Sequence, residues 1–281
     1  HNASYRILEQ FLRRPEGRAQ VNRRFKLDRV EGLPLAVAMG SPRTVRLLLA
    51  HGADVIAAGP DMLKNLFGFW VETARQDLWD LSDVLGDHRY DILREILARG
   101  VNPQGGDGLL LHRVCSWGDP RMVRLLLDKG IPLEKRDGEG NTPLLAAMHS
   151  SRFWLFNETP ATGPLEAARA LLAAGADWRA ENKEGRTVLT IGLPTADQVR
   201  SLGWTERGTT RVRADQDEVY NQLEIHERNV HNAIASMRAI LATGKVDIHL
   251  KNRAGQTVLA YARAAGLTKV ADFLIASGAR Y

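Results

Sequence analysis

Few residues in this chain have the types and spacing that chemistry needs. Cys115 is the single thiol, and a cysteine nucleophile needs a His and an Asn or Asp placed to activate it. No such arrangement is legible around it, so Cys115 reads as a small buried hydrophobe. Gly105-Gly106-Asp107-Gly108 and Gly138-Glu139-Gly140 have the glycine density of phosphate-cradling loops. Neither follows a strand into a nucleotide-binding pattern, and the Lys-Ser/Thr pair of a Walker loop is missing. His226 and His231 stand five residues apart, whereas paired metal ligands on one helix stand four apart. Arg207, Arg211, Arg213, Asp215, Asp217 and Glu218 cluster in one stretch, but in no recognised catalytic order. The residues therefore point to no metal centre, no cofactor site and no catalytic residues. One enzymatic alternative stays open, a site formed by the 192–230 segment on a non-catalytic scaffold.

Composition narrows the class further. The 281 residues are 44% hydrophobic and 25% charged, the balance of a folded domain. No apolar run reaches the roughly 18 residues that a membrane helix needs. One Cys excludes an internal disulfide and suits a reducing, cytoplasmic compartment. The chain opens on His1 and not on Met, so a periplasmic or secreted location stays open. The net charge of +5 is concentrated in Arg13, Arg14, Arg18, Arg23, Arg24, Lys26 and Arg29, set against Glu16 and Asp28. A nucleic-acid surface would interleave aromatics with such a cluster, and only Phe25 lies within it. A solvated basic edge is the preferred reading, and nucleic acid is not an expected partner.

The elements that would position any site come from a repeated phrase. An apolar helical run closes on Gly at Gly52, Gly100, Gly130, Gly175, Gly244 and Gly278. One copy reads Val123-Arg124-Leu125-Leu126-Leu127-Asp128-Lys129-Gly130, and another Ala168-Arg169-Ala170-Leu171-Leu172-Ala173-Ala174-Gly175. Gly at that place takes the left-handed conformation that ends a helix. Repetition of this kind means small units that bury their apolar faces only on one another. Such arrays work by surface recognition, so a binding face is sought before a catalytic pocket.

Openings match the closings. Asn141-Thr142-Pro143-Leu144-Leu145-Ala146-Ala147 starts one unit, Leu109-Leu110-Leu111-His112 is a degenerate copy, and Thr187-Val188-Leu189 and Thr257-Val258-Leu259-Ala260 are looser ones. With Gly52-Ala53-Asp54-Val55, Gly175-Ala176-Asp177 and Gly278-Ala279, these phrases resemble ankyrin repeats over most of residues 32–281. The resemblance implies an all-α ankyrin-repeat solenoid of about six helix–turn–helix units with short β-hairpin loops. It implies a structural His112, bridging backbone between units, and places Cys115 at a small inner-helix position. The units run 1–31 (a capping half-repeat), 32–58, 59–107, 108–140, 141–185, 186–255 and 256–281.

Intervals between closing glycines are 48, 30, 45, 69 and 34 residues, against about 33 for an ankyrin unit. Three insertions follow. The first, near 60–76, carries Phe67, Phe69 and Trp70, with Trp79 beyond it. The second holds Phe153, Trp154 and Phe156, and the third Trp204. The third leads into Val219, Leu223, Val230, Ile234, Met237 and Leu241, one helical face. That spacing predicts an outer helix from near Asp215, about twice the usual ankyrin length. Arg46, Arg94, Arg124, Arg169 and Arg238 recur at one outer-helix position and read as a solvated column. Asp77, Asp80, Asp83, Asp87 and Asp91 make an acidic ridge if their helix is continuous.

The expected function is non-catalytic protein–protein interaction. The resemblance implies contact through the concave face and hairpin tips: Lys135, Arg136, Asp137, Glu139; Glu181, Asn182, Lys183, Glu184; Lys251, Asn252, Arg253. Phe153, Trp154, Phe156 and Trp204 are added because aromatic clusters anchor interfaces. A narrower reading is a bacterial inhibitor, immunity factor or effector. The partner is another protein, and a monomer is the default state.

Overall fold

The computed structural model describes residues 2–27, 30–38, 41–59, 62–63, 82–150, 162–201 and 216–280. The fold is all-α in class. Among the described residues, paired strands occur only in one N-terminal hairpin. The chain divides into two compact units, His1–Val114 with Arg124–Ile131, and Cys115–Val123 with Pro132–Tyr281.

In the first unit, α1 (Asn2–Arg13) packs on α2 (Pro15–Gln20), with Leu12 and Val21 buried. The strands β1 (Phe25–Leu27) and β2 (Val30–Gly32) pair antiparallel, Lys26 opposite Glu31. Next come α3 (Pro34–Val37), α4 (Pro42–Ala50) and α5 (Val55–Ala58), with Pro in the first turn of α3 and α4. Pro there removes only a donor that the helix start leaves unbonded anyway. Asp54 caps α5, accepting from the amides of Ile56 and Ala57 at 2.9 and 3.0 Å. A longer helix, α6 (Ser82–Ala98), packs Ile92, Leu93 and Ile96 inward beside α4. Arg46 of α4 meets Asp91 of α6 at 2.8 Å. Both side chains are about two-fifths exposed, so the pair orients more than it stabilises. Arg89 is buried, and burial lowers its pKa to about 10.

Two further helices, α7 (Leu110–Trp117) and α8 (Pro120–Asp128), contribute residues to both units. The second unit continues with α9 (Pro143–Ser150), α10 (Thr162–Ala173), α11 (Ala196–Ser201), α12 (Gln216–Leu241), α13 (Val258–Ala264) and α14 (Thr268–Ala276). Each pair α9–α10, α10–α12, α12–α14 and α13–α14 packs together. Fully buried Ala167, Ala168 and Ala262 let backbones approach, while Leu171, Ile240, Val270 and Leu274 fill the space between helices. The 26 residues described for α12 agree with the long outer helix expected from near Asp215. Its buried stripe runs through Val230, Ala233, Met237 and Ile240. Ile234 and Leu241, expected on the buried face, are only half-buried. A stripe centred on small Ala233 brings the helix closer to its neighbours than one centred on Ile234 would.

All six closing glycines adopt positive φ, between 67° and 94°. After α10, the amide of Gly175 donates to Leu172 O (3.2 Å) and that of Ala176 to Leu171 O (3.0 Å). These bonds satisfy carbonyls that the helix end would strand. A different glycine enforces packing. A Cβ on Gly118, at φ 96°, would lie 2.3 Å from the backbone carbon of Gly163 and 2.4 Å from the nitrogen of Pro164. The turn between α7 and α8 thus touches the start of α10 backbone to backbone.

One opening departs from expectation. Thr187-Val188-Leu189 matches helix-starting phrases, yet residues 188–193 form turns. Arg186, only 7% exposed, donates to Thr190 O at 2.7 Å and Leu193 O at 3.1 Å, capturing carbonyls a helix would use internally. Pro194 then removes an amide and ends any helical run.

Two measurements check this packing. Gly118→Ala is expected to cost at least about 2 kcal/mol, combining positive φ with a backbone clash. A loss below about 0.5 kcal/mol in urea unfolding would contradict the close approach. Cys115 is fully buried, and burial pushes its thiol pKa up. A disulfide-exchange reagent is expected to leave the native thiol intact and to label it completely in urea; rapid native labelling would show an open site.

Candidate functional site

Three loops of the second unit are built alike. Asp137-Gly138-Glu139-Gly140-Asn141, Asn182-Lys183-Glu184-Gly185-Arg186 and Asn252-Arg253-Ala254-Gly255-Gln256 share one bonding scheme. In each, the first residue's amide bonds to the fifth residue's carbonyl at 3.0 Å. Its side-chain Oδ1 accepts the fifth residue's amide: Asp137 from Asn141 at 2.8 Å, Asn182 from Arg186 at 2.9 Å, Asn252 from Gln256 at 2.9 Å. An Asp or Asn is required there, because only a short side-chain oxygen reaches back across so tight a turn.

The loops are also bonded to one another. Asn182 Nδ2 donates to Asn141 Oδ1 at 3.0 Å, and the Lys183 amide to Glu139 O at 3.0 Å. Arg136 donates to Gly140 O and Glu181 O at 2.8 and 2.6 Å, stitching two loops with one guanidinium. From the third loop, Asn252 Nδ2 reaches Gly185 O at 3.1 Å, and the Arg253 amide reaches Glu181 Oε1 at 2.9 Å. The result is a ladder of loops in fixed register. The first unit repeats the device, with Asn22 donating to Gly52 O (2.9 Å) and accepting the Asp54 amide (2.7 Å).

The expected tip residues divide by role on this ladder. Glu181 and Asn182 are buried, 9% and 8% exposed, and serve the loops themselves. Asp137 and Asn252 are half-buried in the same task. Lys183 is exposed but its ammonium binds Gly138 O at 2.7 Å. Glu184 is exposed. Lys135, Glu139, Lys251 and Arg253 are exposed, and their charged groups have no intramolecular partner among the described residues. Phe153, Trp154, Phe156 and Trp204 lie outside the described residues, as do Phe67, Phe69, Trp70 and Trp79. The acidic ridge reduces to Asp91, whose carboxylate is shared by Arg46 and Arg94 at 2.8 and 3.4 Å; the other ridge side chains lie outside the described set. In the Arg column, Arg169 pairs with Glu166, and Arg238 lies over the Phe273 ring. His112 is buried, 6% exposed, on α7.

Sequence reasoning missed the clamp beyond the middle loop. Arg186 lies over the ring of Tyr261, 4.7 Å from its centroid, while the Tyr261 hydroxyl donates to Pro194 O at 3.0 Å. The start of the third insertion is thereby held to α13. The only sequence signal was an Arg between Gly185 and Thr187, where the other loops place Asn141 and Gln256. Trp178, stacked under Arg179 at 4.1 Å, was also passed over. Among the described residues, no group of three or more His, Cys, Asp or Glu is placed to hold a metal ion.

Comparison with known proteins agrees with this architecture. The family model for ankyrin repeats in many copies matches residues 111–153, the stretch holding α7, α8 and the first loop of the ladder. A protein of Pyrobaculum aerophilum described as an ankyrin repeat protein is 45% identical over 60 residues, 21% of this chain and 23% of that relative. The matched stretch thus spans about a quarter of the relative's length. Repeated phrase, helix pairs, bonded loops and these matches converge: the fold is all-α and carries ankyrin repeats, matched at residues 111–153, and such repeats generally serve as protein–protein interaction modules.

Proposed function

We propose that this chain is a non-catalytic binding module that takes a protein partner across the tips of its loop ladder and the adjoining concave face. The observation that carries this reading is the separation of roles among tip residues. The ladder holds three loops in register through Asp137, Asn182 and Asn252. It leaves Lys135 and Glu139 exposed at the first loop and Lys251 and Arg253 at the third. A row of fixed charges of both signs selects a partner by complementarity and discriminates against mismatched surfaces. Preorganisation lowers the cost of binding, because the backbone that presents the charges is already ordered. The aromatic insertions, Phe153, Trp154, Phe156 and Trp204 among them, are proposed as further anchors. An inhibitor, immunity factor or effector is the narrower form of the same proposal.

A fourfold variant tests it: Lys135→Ala, Glu139→Ala, Lys251→Ala and Arg253→Ala together. The partner is first defined by affinity purification with cross-linking mass spectrometry from the source cells. The variant is expected to fold normally and to bind that partner at least about tenfold more weakly, with a flatter salt dependence. Undiminished binding by the folded variant, or cross-links confined to other surfaces, would remove the tips from the site.

A further inference from the structure

Among the described residues, the N-terminal helix leaves one face exposed. On its inner side Leu12 is buried, and Tyr5 lies under the guanidinium of Arg43, 5.6 Å from the ring centroid. Leu8 and Glu9 are half-buried. On the opposite arc, Ile7 and Phe11 stand four residues apart, flanked by Gln10, Arg6 and Arg13, and exposed Arg14 follows in the extended turn before α2. Ile7 is 67% exposed and Phe11 42%. No carboxylate projects from this arc; Glu9, on the inner side, reaches Arg13 at 2.8 Å. Helix α2, packed against α1, adds exposed Arg18, and exposed Arg23 and Arg24 follow it. Glu16 is the single fully exposed acid among residues 5–26. Arg18 Nε reaches Leu12 O at 3.3 Å, which sets its guanidinium beside α1.

Isolated exposed apolar residues are ordinary on a soluble protein. An Ile–Phe pair one turn apart, inside a cationic field whose one exposed carboxylate is Glu16, is different, because it joins the two signals that hold a protein to an anionic bilayer. Apolar side chains enter the headgroup–acyl boundary, and basic residues are drawn to acidic headgroups. A second copy of this chain is a poor occupant, since both faces would carry the same sign. A polypeptide partner would need a socket shaped to two projecting side chains, whereas a bilayer accepts them without shape complementarity. We propose that α1 docks this chain on an anionic lipid surface. Ile7 and Phe11 enter the boundary, and Arg6, Arg14, Arg18, Arg23 and Arg24 meet the headgroups. This reading is independent of the loop ladder and of its protein partner.

The test uses the full chain and vesicles of phosphatidylcholine with about a quarter phosphatidylglycerol. The protein is expected to float with these vesicles, not with pure phosphatidylcholine, and to be released by about 0.5 M NaCl. The Ile7→Ser/Phe11→Ser variant is expected to bind at least about tenfold more weakly, and so is Arg14→Gln/Arg23→Gln/Arg24→Gln. Both alter exposed side chains, and circular dichroism with a thermal melt checks that each remains folded. In a third variant, Phe11→Trp, indole emission is expected to shift to the blue on vesicles. Absence of binding, equal binding to neutral vesicles, or undiminished binding by the folded Ile7/Phe11 variant would overturn the proposal. So would binding to soluble polyglutamate in place of vesicles, which would assign the face to an acidic polypeptide.

Discussion

The loop ladder depends on one interaction, a short side-chain carboxylate or amide oxygen bonded to backbone amides of its own turn. Loops between packed helices carry amides and carbonyls that no helix satisfies, and leaving them bare while burying them is costly. Asp137, Asn182 and Asn252 solve this locally, each closing its own five-residue loop. Once closed, a loop presents its remaining carbonyls at its edge, and the next loop uses them: Glu139 O receives Lys183, and Gly185 O receives Asn252. Local closure therefore comes first and produces the surface on which register is set. Asn22, Gly52 and Asp54 show the same logic in the first unit.

Helix packing in the second unit follows from the same economy of backbone. Gly175 ends α10 with its carbonyls satisfied, so the chain can enter the next loop without a strained connection. Between helices, Ala167, Ala168 and Ala262 contribute closeness, and Leu171, Ile240 and Leu274 contribute volume. Where these requirements conflict with the repeat phrase, packing prevails. In α12 the buried stripe passes through Ala233 and leaves Ile234 partly exposed. At Arg186 a single guanidinium outcompetes the helix that Thr187-Val188-Leu189 would otherwise begin.

These conflicts mark what a sequence can and cannot say about such a chain. Closing glycines and the long helical stretch of α12 are local signals, each a direct consequence of φ/ψ preference or helical period; Asp137, Asn182 and Asn252 read instead as partner contacts. The glycines and the helix were legible for that reason, and the ankyrin resemblance with them. Burial of Glu181 and Asn182 was not, because it depends on the loops before and after them in the ladder, many residues away along the chain. Nor was the contact of Arg186 with Tyr261, which joins residues 75 positions apart in the numbering. Glu181 and Asn182 read as partner-contacting tips, since residue type alone favours exposure for Glu and Asn.

The division of labour within each loop explains how such a surface can specialise. The first and fourth positions, Asn182 and Gly185 in the middle loop, are fixed by hydrogen bonding and by a φ of 70°. The intervening positions contribute mainly backbone; Lys183 Nζ also binds Gly138 O at 2.7 Å, whereas the charged groups of Glu139 and Arg253 take no part in the ladder's bonds. Lys183 and Glu184 occupy them in one loop, Gly138 and Glu139 in another, Arg253 and Ala254 in the third. Substitution at Glu139 or Arg253 changes the charge presented without disturbing the bonds that hold the loops in place. Recognition can therefore vary along the ladder at little cost in stability, whereas a change at Asp137, Asn182 or Asn252 would strand buried amides and loosen its neighbours together.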